Sequence, residues 1–93
     1  MKNEVSFLLN PEVTTSAHDD GIVILHTGKG RVFSSNNTGA LIWRGIEQRQ
    51  SLDGIVDEIS SAFQFAGTTA RAHTLKFLTA LEQQSLITRE VAS

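Results

Sequence analysis

Short runs of alternating or β-branched apolar residues fill the first third of the chain and predict β-strands. These runs occupy residues 5–9, 13–17, 22–25 and 31–34. Turn signals separate the later runs, with Asp-Asp-Gly over 19–21 and Gly-Lys-Gly over 28–30. Consecutive hairpins of this kind predict an antiparallel meander.

From Asn36 onward, apolar residues recur at the three- and four-residue spacing of helices. Asn36 and Ser51 are suited to cap the first two helices, and Thr68 or Thr69 the third. The residues that share a face of each helix are Leu41, Ile42, Gly45 and Ile46, then Leu52, Ile55, Val56, Ile59 and Phe63, then Ala70, Thr74, Phe77, Leu78 and Leu81. Residues 86–87 end the pattern as a short wing strand. The order predicts an α+β fold, a small winged-helix-like domain whose three-stranded antiparallel sheet is followed by three helices.

Size and composition restrict the possible classes of protein. A chain of 93 residues has room for a single domain over 1–93, and 40% hydrophobic with 19% charged residues is typical of a globular one. A net charge of −2 argues against binding nucleic acid through phosphates. The apolar run over 5–9 is shorter than a signal-peptide core, and no run approaches the roughly 20 residues of a membrane span. We therefore expect a cytoplasmic protein without nucleic-acid or membrane partners.

The residue types needed for catalysis do not form a recognisable pattern. The absence of cysteine excludes disulfides, thiolate metal sites and a cysteine nucleophile. His18, His26 and His73 have no metal-ligand spacing and are expected at ordinary surface or edge positions. Ser34 and Ser35 have no neighbouring base, and no nucleophile-elbow motif is present. The sequence predicts a protein that is not an enzyme and has no cofactor or metal.

Two residues allow both a structural and a binding interpretation. Trp43 could form a binding platform, but core packing is the favoured interpretation. Arg71 stands at the start of the third helix, beside its apolar face. Its guanidinium could reach a cleft or remain solvated. The sequence alone does not decide between these two interpretations of Arg71.

Residues 36–43 read Asn-Asn-Thr-Gly-Ala-Leu-Ile-Trp. This segment resembles the Asn-x-Thr-Gly-Ala-x-Ile-Trp signature of the PqqD-like family, which comprises recognition domains from pathways that modify ribosomally made peptides. Further matching positions are Asp20, Gly21, Ile22, Val23, Gly30, Val32, Phe33, Ile55, Ile59, Phe63, Phe77, Leu78, Leu81, Leu86 and Ile87. The resemblance covers about residues 5–88. It departs at Ser35, where leucine is common, and at Ser85, where glycine commonly precedes Leu86.

The resemblance implies a precursor leader peptide bound as an added strand on the third strand, Arg31–Ser35, against the third helix. The segment 70–78 looks most like that of stand-alone members from lasso-peptide pathways, which deliver the precursor to a separate leader peptidase and a cyclase. Within the family, the alternative is a chaperone for the pyrroloquinoline quinone precursor, with a radical enzyme as partner. The peptide-binding residues expected on this basis are Arg31, Val32, Phe33, Ser34, Ser35, Arg71, Thr74, Leu75 and Leu78.

Two functions from other classes also fit the element order. A winged-helix DNA-binding domain would use the third helix for recognition. Only Arg71, His73 and Lys76 offer basic or titratable side chains there, which gives few phosphate contacts. A purely structural module docked to a larger enzyme is the third possibility.

Overall fold

The computed structural model describes residues 4–92, and the side chains of residues 5–90. The chain folds into two small sheets and three helices. The elements are β1 (Glu4–Leu9), β2 (Val13–His18), β3 (Gly21–His26), β4 (Arg31–Ser35), α1 (Asn37–Glu47), α2 (Leu52–Phe63), α3 (Gly67–Gln83) and β5 (Ile87–Ala92). None of the helices in this part of the chain is long and apolar enough to cross a membrane.

The predicted meander is confirmed as a three-stranded antiparallel sheet of order β2-β3-β4. A two-residue turn joins the first pair of strands, because His18 lies opposite Gly21. Gly21 has a φ of 156°, and a Cβ there would meet the carbonyl oxygen of Ser35 on β4. Glycine at this turn therefore lets β3 and β4 approach closely.

The first apolar run takes no part in this sheet. β1 pairs antiparallel with β5, with Phe7 opposite Arg89 and Leu9 opposite Ile87. The expected short wing strand is thus a strand of six residues at the other end of the chain. Periodicity identified both runs but carried no information about a pairing between residues so far apart in sequence.

The caps of the first two helices are those expected from the sequence. Asn36 accepts a hydrogen bond from the amide of Gly39 at 3.1 Å, and Ser51 accepts one from the amide of Gly54 at 3.2 Å. The prediction for the third helix is wrong. Its N-cap is Ala66, without a side-chain hydrogen bond.

The helices pack their apolar stripes against the sheets and form one core. Trp43 is 1% exposed, so the core interpretation of this residue is confirmed. The expectation for the histidines is wrong for His26, which is 2% exposed. It lies on β3, where its Nδ1 accepts from the amide of Lys29 at 3.2 Å and its Nε2 lies 3.1 Å from Asn10 Nδ2. His26 therefore stabilises the turn between β3 and β4.

Candidate functional site

β4 forms one edge of the three-stranded sheet. In an antiparallel ladder, alternate residues of each strand bond to the same neighbour, so one bond fixes the rest. The amide of Thr27 donates to the carbonyl of Glu12 at 2.8 Å, one step beyond the last pair of the β2–β3 register. Counting along β3 from this pair, the backbone groups of Ile22, Ile24 and His26 face β4.

The same alternation divides the residues of β4. Arg31, Phe33 and Ser35 lie opposite those three residues of β3, so the N–H and C=O groups of Val32 and Ser34 point away from the sheet. Both side chains are exposed, that of Val32 to 67%. An edge with free donors and acceptors is a template for pairing with another strand.

A groove of about 400 Å³ lies beside this edge, between the end of β4, the start of α1 and one face of α3. We call it the β4 groove. Its lining residues are Ser35, Asn36, Thr38, Gly39, Ile42, Phe65, His73, Lys76, Phe77 and Ala80. Apolar side chains form most of this surface, which suits it to apolar side chains of a ligand.

Aromatic contacts shape the walls of the β4 groove. Phe77 meets Phe33 edge to face with ring centroids 5.9 Å apart, and Phe65 stacks on His73 at 5.2 Å. The hydroxyl of Ser60 donates to the carbonyl of Phe65 at 2.7 Å, which holds the connection between α2 and α3. The walls are therefore fixed by contacts within the protein.

Gly39 explains why α1 can approach the groove so closely. A Cβ at this position would lie 2.9 Å from Cε1 of Phe77 and closer still to the side chain of Ser35. The Thr-Gly-Ala segment thus has a steric role at this site as well as a helical one. Gly39 is also one of the residues that line the groove.

The charges near the β4 groove are mainly positive. Lys76 lines it, and its lining residues include no carboxylate. At the other end of β4, Arg31 donates to Gln84 Oε1 at 3.2 Å and Lys29 donates to Ser85 Oγ at 3.3 Å. This potential favours a ligand that carries acidic groups.

The structure places the residues expected on α3 differently from the sequence-based interpretation. Thr74 and Leu78 are 0% exposed, and Thr74 donates to the carbonyl of Ala70 at 2.7 Å. Leu75 is half-buried and is not among the residues that line the groove. Arg71 Nη2 lies 2.6 Å from Asp53 Oδ1 of α2, so its guanidinium is directed to a neighbouring helix. A role of these four residues in peptide binding stays a prediction.

The groove-facing residues of α3 form the stripe next to the one expected. They are His73, Lys76, Phe77 and Ala80. Thr74 and Leu78 belong to the buried stripe with Ala70 and Leu81, since residues four apart share a helix face. The sequence analysis placed Thr74 on one face with Ala70 and Leu78, and the structure confirms that these three residues share the buried face. The mixture of His73 and Lys76 with Phe77 was the signal in the sequence for the stripe that lines the groove.

On β4, the expected residues divide into two groups. Phe33 and Ser35 face the helices, whereas Val32 and Ser34 present their backbone groups outward. Elsewhere among the described residues, no group of three or more His, Asp or Glu side chains is placed to hold a metal ion.

A family model described as Coenzyme PQQ synthesis protein D (PqqD) matches residues 21–87. The chain belongs to the PqqD family. The matched region of this PqqD-family protein contains the whole of β3, β4 and the three helices, and with them the β4 groove. No protein with a curated description matches the chain significantly.

Two solved structures have the same fold as this PqqD-family chain. TbiB1 in complex with the TbiA(beta) leader peptide is 28% identical with a TM-score of 0.79, covering 85% of this chain and 92% of that chain. Lasso peptide synthetase B1 complexed with the leader peptide is 24% identical with a TM-score of 0.80, covering 89% of this chain and 98% of that chain. Both of these structural neighbours are complexes with leader peptides.

Proposed function

We propose that this protein binds the leader segment of a ribosomally made precursor peptide of the lasso class by strand addition to β4. The observation that carries the proposal is the free edge at Val32 and Ser34 beside an apolar groove. The similarity to TbiB1, whose structure holds a leader peptide, supports the same ligand class. In this mode, main-chain hydrogen bonds supply affinity and alternating side chains enter pockets.

The register of β4 defines which leader side chains would enter the groove. Side chains of directly opposite residues in a sheet lie on the same face. Leader residues opposite Phe33 and Ser35 would therefore point toward α3, where Phe77, Ile42 and Phe65 offer apolar contact. Leader residues opposite Val32 and Ser34 would remain in solvent. The groove thus selects a leader with apolar residues at alternate positions.

The same arrangement supports a role in delivery rather than in chemistry. A bound leader would lie along one edge and leave the rest of the precursor free. A separate leader peptidase or another modifying enzyme could then act on it. Within the family, a chaperone for the pyrroloquinoline quinone precursor would use the same edge. The two functions differ in which precursor binds.

The test is a titration of the full chain with the leader of the precursor encoded beside its gene, followed by calorimetry. Proline at Ser34 or Val32 removes an outward donor without disturbing the ladder to β3. We expect each proline variant to lose about 1–3 kcal/mol of binding free energy, roughly tenfold to hundredfold in Kd. The matched variant Ser34→Ala keeps the amide and should retain most of the affinity.

Proline variants that fold, by circular dichroism, yet bind the leader as tightly as the parent would rule out strand addition to β4. Preference for a pyrroloquinoline quinone precursor peptide over the lasso leader would assign the chain to the other pathway. Tight binding to random duplex DNA with a steep salt dependence would instead favour the winged-helix alternative.

A further inference from the structure

Two residues of β4 on the helical side of the sheet differ in size and in what lies beside them. Phe33 is half-buried, and its ring meets Phe77 edge to face with the ring centroids 5.9 Å apart. It is not among the residues that line the β4 groove. Ser35 is also half-buried, lies two residues further along the same face, and does line the groove. The open space beside β4 therefore lies at Ser35, whereas two rings fill the space at Phe33.

Close contacts fix the position of Ser35 on two sides. A Cβ on Gly21 would meet the carbonyl oxygen of Ser35, so the start of β3 packs directly against its backbone. A Cβ on Gly39 would meet the side chain of Ser35, and Gly39 and Ile42 of α1 are themselves buried. Neither β4 nor α1 can move back without disturbing these contacts. The space in front of the Ser35 side chain is therefore limited by a rigid floor.

The proposed strand addition brings one leader side chain into this space, and the inference below rests on that proposed function. In an antiparallel addition, Val32 and Ser34 would exchange hydrogen bonds with the leader. Phe33 and Ser35 would then form the non-hydrogen-bonded pairs, in which Cα atoms lie about 4.5 Å apart and side chains are closest. The leader residue opposite Ser35 would share the groove with the Ser35 side chain. The size of the residue at this position therefore decides how much room the leader finds.

We propose that Ser35 is a specificity-determining residue of the β4 groove, and that its small side chain admits one large apolar or aromatic side chain of the leader. This anchor lies opposite Ser35, against the groove residues Ile42, Phe65 and Phe77. The leader position opposite Phe33 has no comparable space and contributes less to affinity. The domain thus selects leaders by the size of a single side chain.

Size and polarity are separable properties of Ser35. The hydroxyl could instead select a polar leader side chain through a hydrogen bond. The surface of the groove is mainly apolar, and apolar surroundings favour burial of an apolar side chain. Packed walls also resist added volume, because overfilling forces side chains out of their preferred rotamers. These properties favour selection by size, and replacement of Ser35 by alanine or by leucine distinguishes the two mechanisms.

The test is calorimetry of the full chain with the leader of the precursor encoded beside its gene, after an alanine scan has located the large anchor. In the parent chain, alanine at the anchor should lower affinity about tenfold to hundredfold. Ser35→Leu should weaken the unchanged leader by a similar factor, because leucine fills the space of the anchor. The leader with alanine at the anchor should bind Ser35→Leu at least as tightly as the unchanged leader does. Ser35→Ala keeps the space and should change the affinity less than about threefold.

Ser34→Leu is the matched control, because it adds the same side chain to the outward face of β4. It should leave the preference for a large anchor unchanged. Circular dichroism checks that each variant is folded. Ser35→Val is a smaller step in the same direction and replaces Ser35→Leu if leucine prevents folding. It should reduce the preference for the large anchor without abolishing leader binding.

An unchanged preference for the large anchor in the folded Ser35→Leu or Ser35→Val chain overturns the proposal. A loss in Ser35→Ala as large as that in Ser35→Leu also overturns it, in favour of selection by the hydroxyl. Ser34→Pro tests strand addition itself and separates the two claims. If this proline weakens the leader while larger residues at Ser35 leave the size preference intact, the proposed function stands and this inference fails. If neither change affects leader affinity, both fail.

Discussion

The two edges of the three-stranded sheet share a backbone arrangement and differ in their surroundings. Each edge presents alternate N–H and C=O groups, and each borders a groove on the helical side of the sheet. The β4 groove has α3 as its outer wall and carries Lys76 and His73. The groove beside β2, which we call the β2 groove, is lined by Thr15 and Ala17 on its strand side and by Leu41 of α1 and Phe63 at the end of α2.

The ability of a strand edge to bind another chain and its selectivity for a particular chain have different physical sources. Main-chain hydrogen bonds are nearly the same for any sequence, so both edges can accept an extended segment. Charge and groove shape then decide which segment binds. The two edges therefore differ in the side chains that line their grooves and not in their backbone groups.

Removal of one aromatic side chain from each groove should give the largest difference in leader affinity. Phe77→Ala takes away the ring that packs on Phe33, and leader affinity should fall roughly tenfold to hundredfold because apolar contact of this size contributes about 1.5–3 kcal/mol. Phe63→Ala, in the wall of the β2 groove, is the matched change. Calorimetric titration of the leader should show little effect of Phe63→Ala. Equal losses in both variants would mean that the leader does not distinguish the grooves.

The second prediction concerns the close approach of Gly39 to Ser35 and Phe77 in the β4 groove. Gly39→Ala should destabilise the protein by about 1–3 kcal/mol, because the new methyl group overlaps Ser35 and Phe77. Gly54→Ala on α2 meets no atom closer than 3.5 Å and should stabilise it by about 0.4–1 kcal/mol. Urea denaturation of both variants tests the contrast. A stabilising Gly39→Ala would show that the groove has more room than the structure indicates.

The third prediction concerns charge. Lys76→Glu should weaken binding of an acidic leader about threefold to tenfold at low salt, with the effect shrinking as salt is added. Arg44→Glu makes the same change of charge in the β2 groove and should have less effect on the leader. Anisotropy titrations at two salt concentrations measure both. If both variants weakened leader binding equally, the effect would depend on the net charge of the protein and not on the charge of the β4 groove.

The smallest expected effect concerns Ser85, at the end of α3. Ser85 has a φ of 61° at the end of α3, a conformation that costs an L-residue free energy and glycine very little. Ser85→Gly should therefore raise the free energy of unfolding by about 0.5–1 kcal/mol and leave leader affinity unchanged. Thermal unfolding measures the first effect and calorimetry the second. Reduced stability would show that the hydrogen bond from Lys29 to Ser85 outweighs the backbone cost.

Local signals in the sequence were sufficient for the helices, the meander and the core position of Trp43. Each depends on residues a few positions apart, as in the caps at Asn36 and Ser51. The pairing of β1 with β5 joins the two ends of the chain and leaves no such local signal. It could not be predicted from periodicity.

The same limit applies to the candidate site, where local features could be predicted and contacts between elements could not. The edge strand Arg31–Ser35 followed from the hairpin pattern, but its outward residues required the register to β3. On α3, the expected residues Thr74 and Leu78 are buried, and the Thr74 hydroxyl donates to the carbonyl of Ala70, whereas the residues that line the groove lie on the neighbouring stripe. Arg71 forms an ion pair with Asp53 on the neighbouring helix α2.

The most direct test of leader binding at the β4 edge is amide hydrogen exchange of the full chain with and without the leader peptide. Val32 and Ser34 should gain protection, because their amides point out of the sheet and would bond to the leader. Phe33 and Ser35, already bonded within the sheet, should change less, and Thr15 and Ala17 on β2 should not change. Protection on β2 instead of β4, or none at Val32 and Ser34 at saturating leader, would contradict the account.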